Sequence, residues 1–596
     1  MQKPQKHFDK VVEAVKYFVR IIQILACAGK LYLVTIVLLA IAFGIIPSIS
    51  VLVMQEIVNT LQTSIRSFEQ IVVLIIVYIG IDFLGGVLGL ISGYVENMLQ
   101  MKAAITLDMS VLEKVKELNL RDFEDSETYN LIQRAMGTGI SRLFSFFKSF
   151  VLFFQSLISL VMFSIILLSW KWWLLPLVFV MPIINTFVSA HFGKKQFIIQ
   201  KNRAGESRKQ WYFQYLLTND IAFKEIKTFN LGGYFRSKHK QISLDFLKQD
   251  KHLLKRRTRA QFILLVIDQA ISAAMFVFVI TTAFVGKILL GELITYTRSI
   301  SNIKSSSQGL LSHINSIYQN VLYISQYFDF IDMNTDTGSK GEGEGLILDA
   351  IPSIKISNLS YRYKDKDVNA LSNININIEG NSLIAFIGKN GSGKTTLVKI
   401  LSALYNNYEG DVCFGERNLR DIGAEEVRKK IGLLFQDFVK YELSVKENVA
   451  FGQLDSFCDD NAIIQALLKT GMQDRVEGLE TQLGSWFDSG VQLSGGEWLR
   501  IALSRAFIRD AELYLLDEPN SALDSVSEKQ VLNSFKELAR GKIGIIVSHR
   551  IASIKNIVDK IIVFDSGSID ACGTHDELLR TSKVYRELYE QENGIG

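Results

Sequence analysis

At 596 residues the chain exceeds what one hydrophobic core usually organises, so more than one domain is expected. Hydrophobic residues make up 48% of it and mean hydropathy is +0.20, both high for a soluble protein. The net charge of +4 is small for this length and gives no electrostatic case for nucleic acid as a partner. Four cysteines, Cys27, Cys413, Cys458 and Cys572, stand apart with no metal-ligand spacing, which argues against a disulfide framework or a zinc site.

The N-terminal residues lack the basic end, apolar run and small-residue cleavage site of a signal peptide. Residues 8–25 instead place Val11, Val12, Val15, Phe18, Val19 and Ile22 at helical spacing, with Lys10, Lys16 and Arg20 among them. That pattern fits an amphipathic helix lying on a membrane face, or a helix packed on protein. Crossing a bilayer takes about 20 mostly apolar residues. Runs of that kind follow at 31–54, 71–93, 150–170, 174–190 and 261–290, and a more polar sixth covers 293–314. Residues 334–345, NTDTGSKGEGEG, read as a flexible linker. From residue 351 short β-rich runs alternate with helical patterns, the signature of an α/β domain. The expected architecture is multidomain: an N-terminal segment 1–30, an all-α transmembrane domain of six helices over 31–333, a linker 334–350 and an α/β domain over 351–596.

Charge sets the expected orientation. Residues 1–30, 97–148 and 194–259 are rich in Lys and Arg, whereas the opposite loops carry little beyond Arg66, Lys171 and Lys287. By the positive-inside rule the N-terminus and both long loops lie in the cytoplasm, and an even number of spans returns the C-terminal domain there.

The strand-like run 382–387 leads into Gly388-Lys389-Asn390-Gly391-Ser392-Gly393-Lys394-Thr395 and then a helical pattern starting at Thr396. This is GxxxxGK[ST] in its strand–loop–helix context. Its glycines let backbone N–H groups face phosphates at a helix N-terminus. Lys394 reaches the β- and γ-phosphates and Thr395 offers its hydroxyl to Mg²⁺. Downstream, Leu513-Tyr514-Leu515-Leu516-Asp517-Glu518 is a buried-strand pattern ending in two acids. Asp517 suits Mg²⁺ coordination, and Glu518 suits a base that orients attacking water.

Leu493-Ser494-Gly495-Gly496-Glu497 closely resembles the LSGGQ signature of ABC ATPases, and other loops of that family match in order. Gln436 looks like the Q-loop glutamine that senses Mg²⁺, Ser521-Ala522-Leu523-Asp524 resembles the D-loop, and His549 matches the switch histidine. Tyr363 sits where the family stacks an aromatic on adenine, with Tyr361 the neighbour open to confusion with it. The resemblance covers 351–596 and implies an ATP hydrolase with Glu518, His549 and Gln436 as its catalytic set. It implies ATP contacts from Tyr363, Gly388, Asn390, Gly391, Ser392, Gly393, Lys394, Thr395, Thr396, Ser494, Gly495 and Gly496, and Mg²⁺ on Thr395, Gln436 and Asp517. One departure is Glu497 in place of the signature glutamine. An exposed charge is screened over roughly 8 Å, so activity is expected.

In this family each ATP lies between the phosphate loop of one domain and the signature of another. The chain carries one of each and one set of spans, which implies a homodimer, with a heterodimer as the alternative. Residues 123–130 and 211–229 resemble the two coupling-helix regions of ABC exporters. Residues 209–235, 434–448 and 482–487 look like the nisin-type lantibiotic exporters, which move modified peptides out of Gram-positive bacteria. That resemblance implies a bacterial plasma-membrane location, a peptide cargo, and dehydratase and cyclase enzymes as working neighbours. About thirty residues precede the first span, too few for the protease domain of some peptide exporters. The cargo is therefore expected to leave with its leader attached. The sixth segment carries a polar stripe, Thr295, Arg298, Asn302, Ser305, Ser312, Ser316 and Gln319, opposite Ile303, Leu310, Ile314, Ile317 and Val321. It reads as a wall of the cargo path, or as a helix already beyond the membrane. Asp82 and Asp268 lie within other spans, to meet a cationic peptide or to hydrogen-bond a neighbouring helix. A lipid or multidrug exporter, or an ATP-gated regulatory membrane protein, are the competing functions.

Overall fold

A computed structural model describes residues 5–63, 68–136, 140–333, 347–364, 366–520 and 523–593. Most of the expected linker, and Ser521 and Ala522, lie outside them. The chain forms two compact units, one of residues 1–117 and 126–333 and one of 118–125 and 334–596.

The first unit is helical: α1 (Gln5–Thr63), α2 (Phe68–Lys116), α4 (Ser126–Arg134), α5 (Ile140–Leu168), α6 (Leu174–Thr218), α7 (Asp220–Thr228), α8 (Gly232–Phe284) and α9 (Leu290–Ile331). The intervening α3 (Leu120–Glu124) belongs to the second unit. Among the described residues five helices, α1, α2, α5, α6 and α8, are long and apolar enough to cross a membrane. Polar residues dilute α9, yet it packs along α1 and α5 as one of the bundle. Val51, Phe163, Leu174, Met275 and Ile303 meet in a core drawn from α1, α5, α6, α8 and α9. Trp170 stacks on Tyr296 at 4.2 Å just beyond the end of α5.

Gly29 interrupts the helical geometry of α1 and separates an N-terminal segment from the span. One face of that segment is packed on protein: Ile21 and Leu25 are buried, and Phe18 stacks on Phe150. Arg20 forms a two-pronged ion pair with Asp332, just past α9, at 2.6 and 2.7 Å. Val15 and Val19 stay exposed, so the segment still carries apolar surface for a bilayer or another partner.

The second unit holds two sheets. β1 (Ser353–Tyr361), β2 (Leu371–Glu379), β4 (Glu409–Phe414) and β5 (Arg417–Asn418) form an antiparallel sheet in the order β2-β1-β4-β5. In β2 Leu371, Ile374, Ile376 and Ile378 point into the core while Asn375 and Asn377 face out, the alternation a one-sided sheet demands. β3 (Leu383–Gly388), β6 (Ile431–Leu434), β7 (Leu513–Asp517), β8 (Ile543–Val547), β9 (Lys560–Asp565) and β10 (Ser568–Gly573) form the other, ordered β10-β9-β3-β8-β7-β6. All of these neighbours pair in parallel except β9 with β10. β3, β7 and β8 are buried throughout, which explains their apolar sequences, broken only by Asp517 at the end of β7. The helices are α10 (Lys394–Leu401), α11 (Ala424–Lys429), α12 (Val445–Ala450), α13 (Asp460–Thr470), α14 (Gly495–Phe507) and α15 (Ser525–Leu538), followed by α16 (Ile551–Ile554), α17 (His575–Thr581) and α18 (Lys583–Asn593). Leu120 of α3 packs against the core of this unit.

Candidate active site

The adjacent parallel strands β3, β8, β7 and β6 all end on one edge of their sheet. In such sheets ligands bind beyond the carboxyl ends of the strands. Each of these four strands hands on there to one part of the expected chemistry. β3 ends in the phosphate loop, β8 leads to His549, β7 ends at Asp517 with Glu518 next, and β6 leads to Gln436.

The phosphate loop depends on its glycines at two points. A Cβ on Gly388 would lie 2.3 Å from the Phe564 carbonyl oxygen, and one on Gly393 would lie 2.6 Å from that of Ala370. Gly393 also takes a φ of 100°, which L side chains rarely adopt. Ser392 is buried and Asn390 is exposed. Lys394 is 5% exposed, and its Nζ donates to the carbonyls of Gly388 at 2.8 Å and Lys389 at 2.9 Å. The ammonium thus spans the loop from within. Burial lowers its pKa, against the pull of Glu518 and Asp517.

Asp517 is 1% exposed, and among the described residues neither of its carboxylate oxygens meets the geometry of a hydrogen bond. Burial pushes its pKa up to about 6, with the nearby Thr395 hydroxyl acting in the opposite direction. A buried carboxylate without hydrogen-bond donors is costly unless a cation meets it. Oxygen donors of this kind suit Mg²⁺, so the residues fit the ion that the motif calls for.

Glu518 stands at the strand end with a left-handed φ of 50°, and its N–H donates to the Val547 carbonyl at 2.9 Å. The register pairs Asp517 with Val547, which brings His549 alongside. Gln436 Nε2 donates to Glu518 Oε2 at 2.8 Å, and His549 Nε2 lies 2.7 Å from Oε1. The three residues expected to act together therefore meet, with one carboxylate oxygen held from each side.

Tyr361 and Tyr363 are now distinguished. Tyr361 is 3% exposed and faces the core, whereas Tyr363 is half-buried, with its hydroxyl 3.1 Å from that of Thr396 in the first turn of α10. Ser494 is the N-cap of α14. Its N–H donates to Glu497 Oε2 at 2.8 Å, and the Glu497 N–H returns to Ser494 Oγ at 3.3 Å. This capping box holds the Glu497 carboxyl below its usual range and occupies the carboxylate with its own helix terminus. Gly495 is exposed and Gly496 half-buried beside it. Asp524 caps α15 and sits 3.7 Å from Arg500.

In the helical unit the polar stripe of α9 is more regular than its sequence pattern predicts. Arg298, Ser301, Ser305, Gln308, Ser312, Asn315 and Gln319 are all exposed and recur every three or four residues. Ser301, Gln308 and Asn315 were missed, although continuing the same spacing finds them. Three members of the expected stripe turn elsewhere. Thr295 is buried, Ser316 meets Ser149 at 3.0 Å, and Asn302 donates to the Arg298 carbonyl at 2.9 Å. Asp268 does not face an open path: it is 7% exposed and its Oδ2 lies 2.5 Å from Nζ of Lys304 on α9. Lys304, also missed, donates to Ser272 at 3.0 Å. This is the helix-to-helix reading of Asp268. Asp82 stays exposed on α2.

A family profile described as "ABC transporter" matches residues 371–521. The subtilin transport ATP-binding protein of Bacillus subtilis is 35% identical, over 92% of this chain and 90% of that protein. The nisin transport ATP-binding protein of Lactococcus lactis subsp. lactis is 34% identical, over 94% of each. The ATP-dependent lipid A-core flippase of Escherichia coli (strain K12) is 30% identical over 48% of each. A bacterial Atm1-family ABC exporter solved with ATP bound shares the fold, with a TM-score of 0.78, 18% identity, and coverage of 96% of this chain and 100% of that one. Motif geometry, fold and near full-length relatives agree: the chain belongs to the ABC exporter family, as an ATP-hydrolysing half-transporter of the membrane.

Proposed function

We propose that the chain works as a homodimer that exports a ribosomally made, modified peptide of the lantibiotic type across a bacterial plasma membrane. The observation that carries this reading is the extent of the likeness. The subtilin and nisin transport proteins match over 92% and 94% of the chain, membrane half included. The lipid A-core flippase and a multidrug export protein of Bacillus subtilis match over only 48% and 52% of it. The exposed stripe of α9 supports a polar cargo, since its amide and hydroxyl groups suit the hydrogen-bonding backbone of a peptide. The basic loops favour a cytoplasmic N-terminus and ATPase domain.

In this reading the loop at 388–395 and Lys394 bind the phosphates of ATP, and the Ser494–Gly496 segment of the partner copy closes over them. Asp517, Thr395 and Gln436 hold Mg²⁺, which when bound supplies positive charge against the phosphate oxygens. Glu518 accepts the proton of the attacking water, already positioned by Gln436 and His549. His549, once turned from Glu518, offers a donor to the γ-phosphate. Closing the nucleotide sandwich tilts the helices and alternates access.

Vesicles containing the protein are to be offered a leader-bearing lantibiotic precursor, a lipid and a small dye. Stimulated ATPase and uptake are expected with the precursor. Stimulation by the lipid or dye alone would overturn the peptide assignment.

A further inference from the structure

Behind Tyr363 lies a cluster that none of the ATPase motifs uses. Tyr361 and Tyr405 stack at 4.9 Å with their planes 16° apart, and Tyr363 stands edge-on to both, at 5.2 and 5.9 Å. Tyr405 is 1% exposed and follows α10. Its hydroxyl donates to Oε1 of Glu124, on α3, at 2.6 Å. Lys399 adds its ammonium 3.5 Å from the same carboxylate oxygen. Beside this contact Lys364, next to Tyr363 in sequence, reaches Asp125 at 3.2 Å. Burial and the adjacent Glu124 carboxylate push the Tyr405 phenol far above its usual range, so it remains a donor at every working pH.

These contacts form one continuous line. A carboxylate on a loop between two long helices holds a buried phenol. That phenol's ring is one side of a tyrosine stack, and the stack is the back wall of the half-buried ring placed to meet a nucleotide base. Three aromatic rings at van der Waals distance adjust together or not at all, because interiors are close-packed.

We propose that Glu124 and Tyr405 are positioning residues for the purine base: their hydrogen bond sets the stack that aligns Tyr363, so the seating of α3 and the binding of a purine strengthen each other. This rests on the reading of Tyr363 as the base platform. Linkage makes the effect mutual. A base on Tyr363 tightens the seat of α3, and loss of the seat weakens the hold on the base. Phosphate binding, which depends on Lys394 and the loop at 388–395, is left alone. Glu124 therefore gives the membrane-side loop a report on which base is bound, separate from the γ-phosphate signal carried by Gln436 and His549.

The test compares steady-state hydrolysis of ATP and CTP by the full chain in lipid nanodiscs. CTP offers the same phosphates and a smaller ring for stacking. Tyr405→Phe keeps the ring and removes only the hydroxyl, and Glu124→Gln keeps the shape and removes the charge. Each is expected to raise KM for ATP about three- to tenfold, the size of one hydrogen bond's net contribution, with kcat and KM for CTP within about twofold of the parent. Tyr363→Leu is the control and is expected to erase the preference for ATP over CTP. If Tyr363→Leu leaves that preference intact, the platform reading falls and the proposal with it. If Tyr363→Leu erases it while Tyr405→Phe and Glu124→Gln leave KM for ATP unchanged, the proposal alone is overturned. An equal rise for both nucleotides would mark general damage to the site and also overturn it.

Discussion

Glu518 shows how little a single residue does alone. Its carboxylate is held at both oxygens, by Gln436 and by His549, and its own backbone adopts a conformation that most residues avoid. Glu518→Gln keeps the shape and removes the proposed base. It is expected to lower hydrolysis by at least about 100-fold while bound ATP is retained, as measured by phosphate release and nucleotide trapping on the same sample. Glu497 carries a different lesson. As a departure from the family signature it reads as a threat to ATP, yet the carboxylate is turned back onto Ser494. Glu497→Gln preserves the capping geometry, so hydrolysis within tenfold of the parent is expected; a rise of several orders of magnitude would show the charge to be inhibitory. Glu497→Ala removes the return bond and is expected to destabilise the ATPase unit by about 1 kcal/mol. Because the folded carboxyl titrates below its ordinary value of 4.5, this stabilisation is present above that value. It is lost as pH falls through the lowered folded value. The gap in melting temperature between parent and Glu497→Ala should therefore narrow as pH falls below 4.5.

At the scale of elements the instructive pair is α8 and α9. Each contributes one charge, and the charges meet at 2.5 Å inside the bundle. Neutralising one partner leaves the other buried without compensation, which costs about 3–5 kcal/mol. Asp268→Asn and Lys304→Gln should each lower the melting temperature in nanodiscs, and the double variant should recover most of the loss. Full additivity of the two losses would rule out the pairing. The sequence exposed the carboxylate but not its partner, because no periodicity joins residues on different helices. The α9 stripe was partly legible for the opposite reason: it is one helix read against itself, and the spacing of Arg298, Ser305, Ser312 and Gln319 survives in the structure. Its missed members are chemically ordinary serine, glutamine and asparagine side chains. The same spacing reaches them, and their common exposure confirms that they share the face.

For the whole molecule, the ATPase half was the legible part. Its motifs are local strings, and parallel strand pairing gathers them at one sheet edge without long-range guesswork. The likeness of residues 123–130 to a coupling-helix region pointed to an ATPase-docking loop, and residues 118–125 group with the ATPase unit while their neighbours on both sides belong to the helical one. The proposed sharing of each nucleotide between two copies also makes a prediction about pairs of chains. A Lys394→Ala chain and a Ser494→Arg chain should each be inactive alone. Co-expressed, a mixed dimer holds one site with both lesions and one with neither, so about a quarter of parental ATPase should return from random pairing with half the sites intact. No recovery in purified mixed dimers would remove the shared-site arrangement.

The seat of α3 has a consequence for how the protein is made. Glu124 and the Tyr405 that holds it are 281 positions apart in the chain. At roughly 5–20 residues per second of synthesis, α3 leaves the ribosome about 15–55 s before its seat exists. Throughout that interval the loop has Leu120 and Glu124 to offer and nothing to receive them. Docking is thus a late event that waits for the start of the C-terminal half, and a chain truncated before Tyr405 is expected to leave this loop open to proteases and chaperones.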